Sequence, residues 1–137
     1  MRIGYVLDAS AVLRYADGEA GAERVEEILK YGVSGAAQIR LSAVQWGEVA
    51  GRVRTHYGSQ EEARILSALL PSEVEIIPAT ADQAVRAADL KVDRNFSYAD
   101  AFALDLAMQS ANHVLVTADY GFKTVDDLAH IEFLPTK

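Results

Sequence analysis

Four acidic residues, Asp8, Glu48, Asp100 and Asp119, are the side chains in this sequence best suited to joint chemistry. Each carboxylate offers hard oxygen donors. Several of them in one cleft repel one another unless a cation is present, and oxygen-only ligation favours Mg²⁺ or Mn²⁺ over zinc. The sequence contains no cysteine, which removes thiolate ligands, thiol nucleophiles and disulfides and fits a reducing compartment. His56, His113 and His130 lack any paired metal spacing and read as surface or packing residues.

Each acid also has an ordinary reading. Asp8 can cap the helix after it, and Asp119 in Ala-Asp-Tyr-Gly can be a turn residue. Asp100 can reciprocate Ser97 in a capping box. Glu48 can pair with Arg52 at i,i+4, worth only about 0.3–0.5 kcal/mol. What favours a shared site is the position of the four relative to the elements that carry them.

Short apolar runs alternate with amphipathic segments throughout, without repeats or low-complexity tracts, and predict an α/β layer fold with a mainly parallel sheet of four to five strands flanked by helices. The first strand covers Ile3 to Leu7 and leads into a helix from Ala9 to Tyr15, with Asp8 at the junction. A polar-faced helix follows at Gly21 to Lys30, then strands near Ile39 to Leu41, Glu73 to Ile77 and His113 to Thr117, and an edge strand at Ile131 to Leu134. Ser42–Gln45, Ser59–Glu62, Thr80–Gln83 and Ser97–Asp100 each place a hydroxyl three residues before an acid or amide, which marks four helix starts.

Ligands in such sheets collect outside the carboxyl ends of the strands. Asp8 directly follows the first strand and Asp119 follows Thr117 by two, so both should emerge on one sheet edge. On the helix from Ser97 to Ala111, Asp100 shares the apolar stripe of Ala103, Leu104 and Ala107, whereas Asp105 points away beside Gln109. An ionised carboxylate on such a stripe needs a partner or a metal. Glu48 has a small, apolar stripe, and the helix-weakening Gly47 and Gly51 suggest close packing or a close approach by another group. Ser10 and Thr117 lie beside the acids as hydrogen-bonding neighbours. Trp46 and Tyr57 are expected to pack on the other face of their helix.

The formal charge of −7 opposes binding of a polyanion. Metal ions at the acids would offset part of it, and Arg14, Arg40, Arg52, Arg54, Lys91, Arg94 and Lys123 are candidate phosphate contacts, with a solvated scatter of charges as the alternative. The N-terminal apolar stretch is broken by Asp8 and is followed by no small-residue cleavage site. No run approaches the ~18 uninterrupted apolar residues of a membrane span. A single domain over residues 1–137, cytoplasmic and without membrane association, is expected.

The pieces Tyr5-Val-Leu-Asp8-Ala-Ser10, Leu41-Ser-Ala with Glu48 beyond it, Ser97-Tyr-Ala-Asp100-Ala and Val116-Thr-Ala-Asp119-Tyr-Gly-Phe122 together resemble the PIN-domain family, in particular its VapC-type toxin ribonucleases. The resemblance covers essentially the whole chain. It implies a parallel sheet flanked by helices, Mg²⁺ or Mn²⁺ held by Asp8, Glu48, Asp100 and Asp119, and Ser10 and Thr117 in neighbouring polar roles. It also implies cleavage of single-stranded or loop RNA, a cognate antitoxin as partner and a homodimer. An antitoxin segment would occupy a groove, for which Val25, Ile28 and Leu29 are candidates beside their reading as core. Two other readings of the same acids stand: a noncatalytic PIN-like module that binds RNA or protein, and a phosphatase with Asp8 as nucleophile. The second usually has another Asp two residues on, where this sequence has Ser10.

Overall fold

The computed structural model describes residues 2–137. Its strands are β1 (Ile3–Leu7), β2 (Ala37–Ser42), β3 (Glu75–Ile77), β4 (His113–Thr117) and β5 (His130–Phe133). Its helices are α1 (Ala9–Asp17), α2 (Ala22–Ser34), α3 (Ala43–Tyr57), α4 (Ser59–Leu69), α5 (Ala81–Arg94) and α6 (Tyr98–Met108), with a short 3-10 helix at Tyr120–Val125.

All five strands are parallel in the order β3-β2-β1-β4-β5. Successive strand residues face opposite sides, so each strand feeds two cores. Tyr5, Leu7, Ile39, Leu41 and Val116 face one side, where Val12, Val25, Ile28, Val49 and Val53 from α1 to α3 pack. Val6 and Leu115 face the other, against Ala87, Phe102, Leu106 and Phe122. Val25, Ile28 and Leu29 are therefore core.

The chain builds β1, β2 and β3 outward in one direction, then crosses to β4 and β5 on the other side of β1. The switch point lies between β1 and β4, and the residues after these two strands flank the crevice it opens. Among the described residues no helix is long and apolar enough to cross a membrane.

Several local expectations need correction. β3 is only three residues, starting at Glu75, because Pro71-Ser72-Glu73-Val74 forms a turn closed by Val74 N–H to Pro71 C=O at 3.1 Å. The last strand begins at His130 and pairs parallel to β4. The helix after Ser97 ends at Met108, short of Ala111. Thr80 and Ser97 cap α5 and α6 by accepting from Gln83 and Asp100 N–H. At α4, however, Gly58 is the capping residue and Ser59 makes no cap bond. Ser42 caps Val44, and the Gln45 side chain turns inward instead of closing a box.

Helix α6 is buried on every side from Ala101 to Leu106, including Asp105. Asp105 points away from the Asp100 stripe and beside Gln109, as the spacing predicts, and α5 covers it there: Arg86 supplies a two-pronged ion pair at 2.8 and 3.2 Å, and Gln109 adds a third bond. Tyr57 is exposed, with its ring edge-to-face with His56, whereas Trp46 packs against the core.

Candidate functional site

Asp8 ends β1 in extended backbone geometry and caps α1, so its side chain is directed by two elements at once. It is only 1% exposed. One carboxylate oxygen accepts from the Ser10 hydroxyl at 2.7 Å and from Ala11 N–H at 2.9 Å; the other accepts from the Thr117 hydroxyl at 2.5 Å. Thr117 closes β4, and its oxygen in turn accepts from Asp119 N–H at 2.9 Å. Ser10 accepts from Ala118 N–H at 2.9 Å. These bonds stitch the carboxyl ends of β1 and β4 together. Ser10 and Thr117 have one proton each, and both protons point at Asp8.

Asp119 is exposed, caps the 3-10 helix, and accepts from Gly121 N–H at 2.8 Å. Asp100, half-buried in the first turn of α6, accepts from the Gln45 side-chain amide at 3.3 Å. Glu48 stands one turn beyond Gln45 on α3 and is exposed. The ordinary readings of Asp8, Asp119 and Ser97 hold as caps.

Their electrostatics tie them to one locality. Burial pushes the Asp8 carboxyl up to about 6 against three hydrogen bonds that lower it, and the Asp100 charge adds to the rise. Burial also raises Glu48, again with help from Asp100. Asp100 is raised by burial, held back by the Gln45 bond, and raised further by Asp119. Asp100 is thus the hub through which the four acids sense each other. None of the ion pairs among the described residues includes any of the four; the Glu48–Arg52 pair, the ordinary alternative for Glu48, is absent from them. Among the described residues, no three acids or histidines are grouped closely enough to hold an ion as they stand. The donor set fits a hard divalent cation by chemistry: oxygen only, uncompensated, and with protonation already favoured by repulsion and burial.

A family model described as PIN domain matches residues 5–128. The chain belongs to the PIN-domain family. Among solved structures, this PIN domain is similar to the VapBC2 complex from Rickettsia felis bound to a promoter DNA fragment, at 18% identity and TM-score 0.73, covering 97% of this chain and 100% of that one. It is also similar to VapC20 of Mycobacterium tuberculosis, described as a sarcin-ricin loop cleaving toxin, at 18% identity and TM-score 0.71 over 96% and 99% of the two chains. FitAcB from Neisseria gonorrhoeae follows at 20% identity and TM-score 0.66, with coverage of 93% and 96%. At these identities the likeness is one of fold. No curated protein matches the sequence.

Two features of this PIN domain depart from the sequence reading. Gly47 and Gly51 are exposed, and a Cβ on either would meet nothing within 4 Å, so they open the surface beside Glu48 instead of packing closely. The proposed phosphate contacts are largely engaged elsewhere. Arg14 donates to Ala20 and Pro135 carbonyls, while Arg40, Arg54 and Arg94 pair with Glu75, Glu62 and Asp127. Lys123 lies over the Tyr120 and Phe133 rings, which leaves Arg52 and Lys91 without an ion pair among the described residues.

Gln45 was legible as a helix-start residue but missed as part of the site. The available signal was its stripe: Gln45, Val49 and Val53 share one face of α3 and are all buried. A polar residue on such a stripe has to find hydrogen-bond partners inside the protein.

Proposed function

We propose that this PIN domain is a Mg²⁺- or Mn²⁺-dependent endoribonuclease that cuts single-stranded or loop RNA, as the toxin of a type II toxin-antitoxin pair. The observation that carries the reading is a set of four acids with no ion pair among the described residues, Asp8 and Asp119 following the two strands of the switch point and all four coupled electrostatically through Asp100. Asp8, Glu48, Asp100 and Asp119 would hold the cation. A bound Mg²⁺ or Mn²⁺ supplies charge neutralisation at the scissile phosphate and an attacking water at neutral pH. Ser10 and Thr117 hold the Asp8 carboxylate in one rotamer, and burial keeps competing water from its oxygens. Asp119 and Glu48, the two exposed acids, stand where an RNA backbone can reach them. Water attack on phosphorus with departure of the ribose O3′ leaves a 5′-phosphate and a 3′-hydroxyl.

The phosphatase reading asks Asp8 to be a nucleophile. The place two residues on, where such enzymes usually carry a second Asp, is Ser10, whose hydroxyl is bonded to Asp8. The noncatalytic reading draws support from the open spacing of the acids and the few uncommitted cations.

Similarity to antitoxin-bound complexes supports an antitoxin as the protein partner, and a homodimer is proposed beside it. A groove of about 230 Å³ between α1, α3 and α4, lined by Leu13, Ala16, Val53, Tyr57, Ile65 and Leu69, would accept the apolar face of such a partner's helix.

The deciding experiment is cleavage of a mixed cellular RNA pool by the purified chain with Mg²⁺ or Mn²⁺, beside EDTA and Asp8→Asn controls. Discrete cuts bearing 5′-phosphates, lost in both controls, are expected. Cuts that survive Asp8→Asn would overturn the assignment of Asp8, and no cuts with either metal would favour the noncatalytic module.

A further inference from the structure

Gln45 is fully buried in the first turn of α3. Its side-chain amide reaches two of the three other elements that bring acids to the site, α1 and α6. The Oε1 atom accepts from the N–H of Ala9 at 2.6 Å, on the residue that follows Asp8. The Nε2 atom donates to the Ala99 carbonyl at 2.8 Å and to Asp100 Oδ1 at 3.3 Å. Glu48 lies one turn further along the same helix. One side chain therefore spans α1, α3 and α6 where their acids converge.

The bonds are specific to a primary amide. Ala9 N–H belongs to the first turn of α1, where no carbonyl of the same helix is in reach, so it needs an outside acceptor. The Ala99 carbonyl and the Asp100 carboxylate accept only, so the opposite end of the bridge has to be a donor. Gln45 supplies both in a fixed orientation that its partners dictate. A methionine fills the same volume and supplies neither, and an asparagine is one methylene too short to span the gap.

We propose that Gln45 is a positioning residue for the candidate metal centre, holding Asp100 at a set distance from Asp8 by bridging the first turns of α1 and α6. The inference rests on the nuclease reading above. Residues that orient ligands through such bonds typically change metal affinity by about 10–100-fold when removed.

The test uses the full chain as wild type, Gln45→Met and Gln45→Asn. Mn²⁺ affinity is measured by electron paramagnetic resonance of the free ion, and kcat and KM are measured on an RNA the wild type cuts. Gln45→Met is expected to melt cooperatively, to bind Mn²⁺ at least about tenfold more weakly, and to lose kcat while KM changes little. Gln45→Asn should behave in the same way. A variant that melts earlier yet keeps wild-type Mn²⁺ affinity and kcat would show a purely structural role and overturn the proposal. If both variants fail to fold, the side-chain amide signals of Gln45 in the wild type decide by nuclear magnetic resonance. They should shift on Mg²⁺ addition, and unmoved signals overturn the proposal. A wild type that neither binds Mn²⁺ nor cuts RNA removes the nuclease reading and this inference together; a wild type that does both beside unaltered variants removes this inference alone.

Discussion

Asp8 carries its carboxylate in a place almost without solvent, and its hydrogen bonds offset only part of the desolvation cost. Its folded pKa of about 6 lies above the ordinary 3.8, so the folded chain holds this proton over a window where the unfolded chain has lost it. Without divalent cation, the Asp8 contribution to stability is therefore greatest near pH 4, falls as pH rises, and levels off above about pH 6, a loss on the order of 3 kcal/mol. Asp8→Asn keeps a neutral group of the same shape, and Thr117 can turn its hydroxyl to accept from the new amide. In EDTA at pH 7.5 this variant should melt roughly 5–10 °C above wild type, the gap closing toward pH 4. Saturating Mg²⁺ should raise the wild type and leave the variant unmoved. Calorimetric melts across this range check the claim, and parallel profiles for the two proteins would refute it.

At the scale of the element, the glycines of two helices make opposite predictions. Gly47 in α3 is exposed with open space around it, so Gly47→Ala should stabilise by about 0.5–1 kcal/mol through the lower backbone entropy of the unfolded chain. Gly32 in α2 has the same intrinsic weakness, but a Cβ there would stand 2.6 Å from Cγ1 of the buried Ile39 on β2. Gly32→Ala should therefore destabilise by about 1–3 kcal/mol as α2 is pushed off the sheet. Urea denaturation of the two variants distinguishes helix propensity from contact distance, and a stabilised Gly32→Ala would mean that α2 moves away freely. The same distinction explains α6. Its 3.6-residue period is invisible because neighbours cover it on all sides, and Asp105 is tolerated inside only because α5 brings Arg86 to it.

For the whole molecule, the charge of −7 and the engagement of most basic side chains limit what the surface alone can do with RNA. Of the candidate phosphate contacts, Arg52, Lys91 and Lys123 are the ones bonded to neither a carboxylate nor a carbonyl among the described residues. Binding of single-stranded RNA in EDTA should therefore be weak, with a slope of log affinity against log salt no steeper than about −2, at roughly −0.7 per neutralised phosphate. Added Mg²⁺ or Mn²⁺ should strengthen binding to Asp8→Asn far less than to wild type. A steep salt slope in EDTA, measured by fluorescence anisotropy, would reveal a basic RNA path that the ion pairs do not suggest.

The sequence by itself determined the α/β class, the limits of β1 and β4, and the placement of Asp8 and Asp119 at their carboxyl ends. These follow from local information: short apolar runs, capping residues, and a chain direction shared by strands joined through helices. It also marked Asp100 and Glu48 by spacing within their own helices. Tertiary structure alone decided which of these residues share an environment. Asp105 is buried but neutralised by the preceding helix folded back against it, Gly47 faces open space, and Gln45 leaves its capping box to join α1, α3 and α6. Helical periodicity records one buried face, not the identity of what covers it. A hydrogen bond across 36 or 55 residues leaves no trace in local propensity. It arises only when the sheet's strand order brings separate helix starts to one edge.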